Sequence, residues 1–273
     1  MGVFHLGTKG IKDVNKRNER LGEEKTNHQG CLMKIIEYNN ANDIIVEFQD
    51  EYHAKINTIY ANYKIGNISN PYFKSILGIG IVGNKYKINN NKKHTKEYTA
   101  WFSMLSRCFD ENIKKRRKTY ENVTCCKEWF LFENFYEWLH SQENFDKWLH
   151  GSRWAVDKDI LIKGNKIYSL ETCCLVPDRV NSLFLKSNKR RGELPIGVSR
   201  YKIDGYTYYI LSISRKIHNY PSKYFKSPED AFYYYKKCKE EIIKRTAQEE
   251  YADGNITKEC YEAMMNYQVE ITD

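Results

Sequence analysis

No stretch of this 273-residue chain approaches the ~18 uncharged apolar residues of a membrane span, and Met1 to Gly10 contains no apolar core of signal-peptide length. A soluble cytoplasmic protein with no membrane partner is the expectation. Prolines number only five, and no Cys-x-x-Cys occurs, so the strong zinc-ribbon signal is missing. Eight cysteines are nevertheless present, four of them in the adjacent pairs Cys125-Cys126 and Cys173-Cys174. Neighbouring residues of a strand point to opposite faces, which is a poor disulfide framework. A chain this long buries a core without such staples. Zinc held by Cys108, Cys126 and Cys173 or Cys174 finds no recognisable ligand spacing, and buried reduced thiols are expected instead. Long disorder is excluded by the aromatic content of 14%.

What the chain does contain is positive charge and tyrosine. Lys and Arg number 44 against 35 Asp and Glu, giving a formal charge of +9, and there are 22 Tyr, 12 Phe and 5 Trp. Asn, Lys, Ile and Tyr are heavily used, which an AT-rich genome also explains. The patterning predicts an α+β, multidomain chain. Residues 1–29 read as a polar arm and 30–85 as a small β-rich N-terminal module, with Leu32–Tyr38 and Ile44–Phe48 forming a hairpin across Asn39–Asp43. Gly78, Gly80 and Gly83 match G-x-G-x-x-G, but no βαβ unit surrounds them. A basic linker spans 84–97. From Tyr98, Trp101, Met104, Leu105 and Cys108 keep helical spacing, as do Trp129, Phe132, Phe135, Tyr136 and Trp138. Between them lies the run Lys114–Lys118, a source of phosphate contacts or a solvated loop. Trp154–Ile160 reads as a strand, and Pro177 opens a helix carrying Asn181. A second basic linker covers 185–192. Strands are expected at Ile196–Tyr201, Tyr206–Lys216 and Tyr220–Phe225, with a turn at Asp204-Gly205. One packed helix follows, beginning at Ser227-Pro228. That unit spans 192–250, and 251–273 reads as an acidic tail. Charge is segregated: Lys186 to Phe225 is net +7, and Glu229 to Asp273 is net −5. A basic sheet with tyrosine interleaved attracts a phosphate backbone.

Two resemblances follow. Leu194-Pro195-Ile196-Gly197-Val198-Ser199-Arg200, the Tyr-rich middle strand and Phe225–Phe232 with Tyr235 resemble the Apetala/ethylene-response-factor type DNA-binding domain. The form in question is the one appended to phage and mobile-element endonucleases. The resemblance implies a three-stranded sheet in the major groove, with Arg200, Lys202, Tyr208, Arg215 and Lys223 on DNA, joined by Arg190 and Arg191 of the linker. Residues 98–184 resemble the phage HNH-type homing endonucleases, whose ββα finger grips one divalent cation. The matching residues are Trp101–Cys108, Tyr120–Val123, Cys126–Trp129, Val156–Ile160 and Tyr168–Cys173, ending in Asn181. The resemblance places magnesium or manganese at Asp157, Asp159 and Asn181.

The chemistry of that finger needs a general base at the end of its first strand. Lys158 follows Asp157 there, and no His occurs between Trp154 and Phe184. An ordinary lysine, with a pKa of ~10.4, is protonated at neutral pH. The constellation therefore reads as degenerate, with Lys158 on phosphate. The expectation is a phage-type protein in a bacterial host that binds duplex DNA without efficient cleavage. Two other readings stay open. One is an active metal-dependent endonuclease using His140 or His150 as base. The other is a phage protein that inhibits a host defence protein by direct binding.

Overall fold

The computed structural model describes residue 17 and residues 19–185, 192–213 and 223–273. It is 38% helix and 23% strand, arranged in several small sheets, an α+β architecture of more than one domain. The chain divides into two compact units, residues 1–93 with 130–134, and residues 94–129 with 135–273. Among the described residues no helix is long and apolar enough to cross a membrane.

The first unit is built on a four-stranded antiparallel sheet, β1 (Glu24–Thr26), β2 (Leu32–Asn40), β3 (Asp43–Phe48) and β4 (Lys55–Thr58), in that order. The expected β2–β3 hairpin forms, with Asn40 opposite Asp43 and the Asn40 side chain accepting from the Asn42 amide at 2.8 Å. Period-two alternation sends Met33, Ile35, Ile44, Val46 and Phe48 to one face, where all five are fully buried. Tyr63 of the short helix α1 (Tyr60–Ile65) and Tyr38 complete that core. The polar-arm reading of 1–29 needs correction at its end. β1 pairs with β2, and the buried Asn27 accepts from Gln29 and Cys31 amides while donating to the Ile68 carbonyl at 2.8 Å. The physical reason is backbone pairing: a three-residue polar edge strand has no apolar alternation to announce it. Residues 1–16 of that arm lie outside the described residues.

In the second unit α2 (Lys96–Phe109) starts at Thr95, whose hydroxyl accepts from the Tyr98 amide at 3.2 Å. It buries the expected stripe of Tyr98, Trp101, Met104, Leu105 and Cys108. The Trp101 indole donates to the Trp129 carbonyl at 2.7 Å. A short helix α3 (Glu111–Arg116) follows, and then β5 (Thr124–Cys125). Phe135, Trp138 and Leu139 of α4 (Phe132–Ser141) and Trp148 of α5 (Phe145–His150) are buried. β6 (Trp154–Asp157) pairs antiparallel with β8 (Cys174–Pro177), and α6 (Asp178–Asn181) follows directly. β7 (Ile167–Tyr168) pairs in parallel with β5.

The last elements form the expected three-stranded sheet, β9 (Val198–Ile203), β10 (Tyr206–Leu211) and β11 (Tyr224–Phe225), with β10 in the middle. Asp204 and Gly205 turn the hairpin with φ of +50° and +83°, the left-handed pair that a two-residue turn demands. The Ser227 hydroxyl accepts from the Asp230 amide at 3.0 Å and opens α7 (Pro228–Ala252) as read from the sequence.

Two boundaries differ from expectation. α7 runs 25 residues, and only its first turns cover the sheet, through Ala231, Phe232 and Tyr235. Its later residues Ile242, Ile243 and Ala247 share one core with Ile160, Cys174, Val176, Val180 and Leu183. Residues 185–192 therefore separate no two cores. Nor is 251–273 a solvated acidic tail: α8 (Lys258–Met265) buries Cys260 and Met264, and Ile256 and Val269 are buried beside it. Apolar residues four apart outweigh the net charge of the segment.

Candidate nucleic-acid interface

The register of the C-terminal sheet decides which side chains share a face. Val198 lies opposite Leu211, Arg200 opposite Tyr209, and Tyr209 opposite Phe225. Cross-strand partners share a face, so this set points toward α7, and Val198, Tyr209, Leu211 and Phe225 pack with Ala231, Phe232 and Tyr235. Gly197, at φ +71°, lets the Tyr235 ring come close: a Cβ there would stand 2.1 Å from the ring. The other face carries Tyr201 opposite Tyr208, Ile203 opposite Tyr206, and Ile210 opposite Tyr224. The Tyr201 and Tyr224 rings lie 5.6 Å apart, and Tyr208 meets Tyr224 edge-on at 6.1 Å. Tyr206 is 70% exposed, Tyr224 51% and Tyr201 43%. The outward face is thus a platform of exposed rings.

This arrangement corrects the expected single face of mixed basic and aromatic residues. Arg200 and Lys202 alternate with Tyr201 on the edge strand β9, so their side chains leave the sheet on the α7 side and Tyr208 leaves on the other. Both cations are exposed. Lys223, beside the opposite edge strand β11, places its ammonium 4.5 Å over the Tyr234 ring of α7. The cations therefore flank the ring platform along its two edges rather than standing within it. Arg190, Arg191 and Arg215 lie outside the described residues. Tyr201, Tyr206 and Tyr224, the exposed members of the platform, were not among the candidate residues. Counting back from the two-residue turn was the signal that separates the faces.

The β6–β8 hairpin and α6 follow the order of the ββα finger, but the expected ligands do not gather. Asp157 Oδ1 accepts from the Asp159 and Ile160 amides at 2.8 and 2.9 Å, closing the turn after β6. Burial, with Asp159 beside it, pushes the Asp157 carboxyl up to about 6. Lys158 is buried, contrary to a role on an external phosphate, and its ammonium donates to Asp159 Oδ2 at 2.9 Å. Cys174 stands opposite Asp157 and Pro177 opposite Trp154, so Asn181 follows the far end of the ladder. There it lines a cleft with Arg153 and Arg179. Two arginines beside the amide and a lysine on Asp159 do not suit a hard cation at Asp157, Asp159 and Asn181. Among the described residues no three His, Cys, Asp or Glu side chains form a metal-holding group.

His140 is packed between the Tyr136 and Phe145 rings, at 4.0 and 3.9 Å, with its Nε2 3.6 Å from Glu97 Oε1. His150 is exposed at the end of α5. All eight cysteines are free thiols. The Cys108 thiol beside Cys125, together with burial, raises the Cys125 pKa, and burial first, then Glu128 and Glu171, pushes Cys126 up to about 11. Both stay protonated at neutral pH and are poor nucleophiles or ligands. Compared with family models, with curated proteins and with solved structures, the chain matches none of them.

Proposed function

We propose that this chain binds duplex DNA through the outward face of its C-terminal sheet and does not cut it efficiently. The observation that carries the reading is the exposed platform of Tyr201, Tyr206, Tyr208 and Tyr224 between two edges bearing Arg200 and Lys202 on one side and Lys223 on the other. Exposed apolar surface of this kind marks a partner site. Two interstrand spacings of ~4.8 Å make the sheet about 10 Å wide between edge strands. A major groove about 12 Å wide admits such a sheet, with phosphates running along both rims. The rings then face sugars, thymine methyl groups and base edges, and the edge cations face phosphates. In this reading the chain is a phage-type protein on a degenerate HNH scaffold. Lys158 is neutralised inside the protein, and Asp157 is occupied in holding a turn, so neither activates water.

Anisotropy titration of a labelled duplex with the full chain, across salt concentrations, tests the binding. Plasmid nicking with magnesium or manganese tests the absence of cleavage. The expected results are an affinity that falls with salt and an intact plasmid. Salt-independent or absent binding contradicts the DNA reading and favours a protein partner on the same rings. Nicking abolished by Asp157→Ala contradicts the loss of catalysis.

A further inference from the structure

Away from the sheet, α2 and α3 enclose a cleft of about 540 Å³ whose lining contains three arginines, Arg107, Arg116 and Arg117, and no carboxylate. The volume is in the range of sites that hold small ligands, ~300–1,000 Å³. Two aromatic residues, Phe102 and Tyr120, stand in the same lining, and Ser103 and Ser106 add hydroxyls from α2. We propose that this cleft binds a nucleoside phosphate, with the arginines on the phosphate and the rings against the base.

The parts are positioned for it. Arg107 is half-buried and held: one terminal nitrogen donates to the Tyr168 hydroxyl at 3.2 Å, and its guanidinium lies 5.9 Å from the centre of the Tyr120 ring. Burial works against its charge, but Tyr168 and Tyr120 beside it keep its pKa above the ordinary arginine value. Arg116 is anchored at Nε, which donates to the Asn112 carbonyl at 3.2 Å, and Arg117 ends the helix next to it. Both are exposed at the mouth. A planar guanidinium offers paired donors to phosphate oxygens, and three of them without a nearby acid make a strongly anionic preference. Basic residues in the last turn of α3 also favour the helix C-terminus. That favourable placement leaves unexplained why Arg107 of a different helix converges on them. It also leaves unexplained the Phe102 ring, 43% exposed beside the cleft. A bare phosphate makes no use of that ring, whereas a base stacks on it.

The ligand chemistry has two sources, a free nucleotide or a nucleotide of a DNA strand. Calorimetric titration of the full chain with deoxyadenosine monophosphate, deoxyadenosine, inorganic phosphate and a 5′-phosphorylated deoxyadenosine hexamer separates them. The monophosphate is expected to bind at least about tenfold more tightly than the nucleoside or phosphate alone, since charged hydrogen bonds are lost in one and stacking in the other. Arg116→Ala and Arg117→Ala should each weaken it about tenfold, at an unchanged melting temperature. A hexamer tighter than the monophosphate assigns the site to a strand, and one that is equal or weaker assigns it to free nucleotide. The sheet variant Tyr224→Ser should leave monophosphate binding unchanged. Equal affinity for nucleoside and nucleotide, no effect of the arginine variants, or loss in Tyr224→Ser overturns the cleft assignment. None of these results depends on how the sheet meets DNA.

Discussion

The two principal sheets of this chain solve the same problem on one face and opposite problems on the other. Both are antiparallel, both bury one face by alternation, and both lay a helix against it. In the N-terminal sheet the outward face carries a row of alternating charge across all four strands: Glu24 opposite Lys34, Lys34 opposite Glu47, Glu47 opposite Lys55. Lys34 meets Glu24 at 3.0 Å and Lys55 meets Glu47 at 3.7 Å. The equivalent row in the C-terminal sheet is Tyr201 opposite Tyr208, with Tyr224 against both. A row of paired ions is content in water, whereas a row of rings is only half buried until something covers it. The contrast teaches that fold alone does not locate a binding face. The composition of the unburied half of the alternation does.

The comparison breaks most decisively at the rings. Replacing Tyr201, Tyr208 and Tyr224 together with Ser should weaken DNA binding by about a hundredfold or more, taking ~1–3 kcal/mol for each lost ring contact. Anisotropy titration measures it, and a circular dichroism spectrum like the parent's shows that the fold survives. The covered face is tested by Gly197→Ala. A Cβ there meets the Tyr235 ring at 2.1 Å on a left-handed backbone, so a loss of roughly 2–3 kcal/mol is expected in denaturant unfolding. A stability within error of the parent would mean that α7 does not seal that side. Arg200→Ala and Lys202→Ala should each cost about 1 kcal/mol and lower the salt slope of binding by about one unit. Unchanged slopes would remove the edge cations from the interface. The smallest effect belongs to the N-terminal row: Lys34→Ala should change stability by less than about 1 kcal/mol. Its DNA affinity should stay within twofold of the parent's, about 0.4 kcal/mol, and a larger fall would make the charged face a second DNA surface.

Much of this contrast was already present in the sequence, though not all of it was used. Asp204-Gly205 marks a two-residue turn, which sets Ile203 opposite Tyr206. Counting back then sets Tyr201 opposite Tyr208 and Arg200 opposite Tyr209. Tallying charge over 186–225 without that alternation merged two faces into one. Ser227-Pro228 and the stripe from Trp101 to Cys108 read correctly because caps and helical spacing are local signals. β1, β5 and β7 did not read at all: strands of two or three residues are defined by distant partners, not by their own pattern. The terminal segment hid its helix behind eleven acids shared with α7, although Ile256, Cys260 and Met264 recur at four-residue steps. The finger residues Asp157, Lys158 and Asn181 were found by type and order, but burial and strand register set what they touch, and neither is written in spacing.

The most direct test of the ring platform is photocrosslinking of the full chain to a duplex substituted with 5-bromodeoxyuridine, followed by mapping of the modified peptides. Crosslinks at Tyr201, Tyr206, Tyr208 or Tyr224, lost as salt is raised, are the predicted result. Efficient crosslinking confined to other segments, with these four tyrosines unmodified, would contradict the assignment.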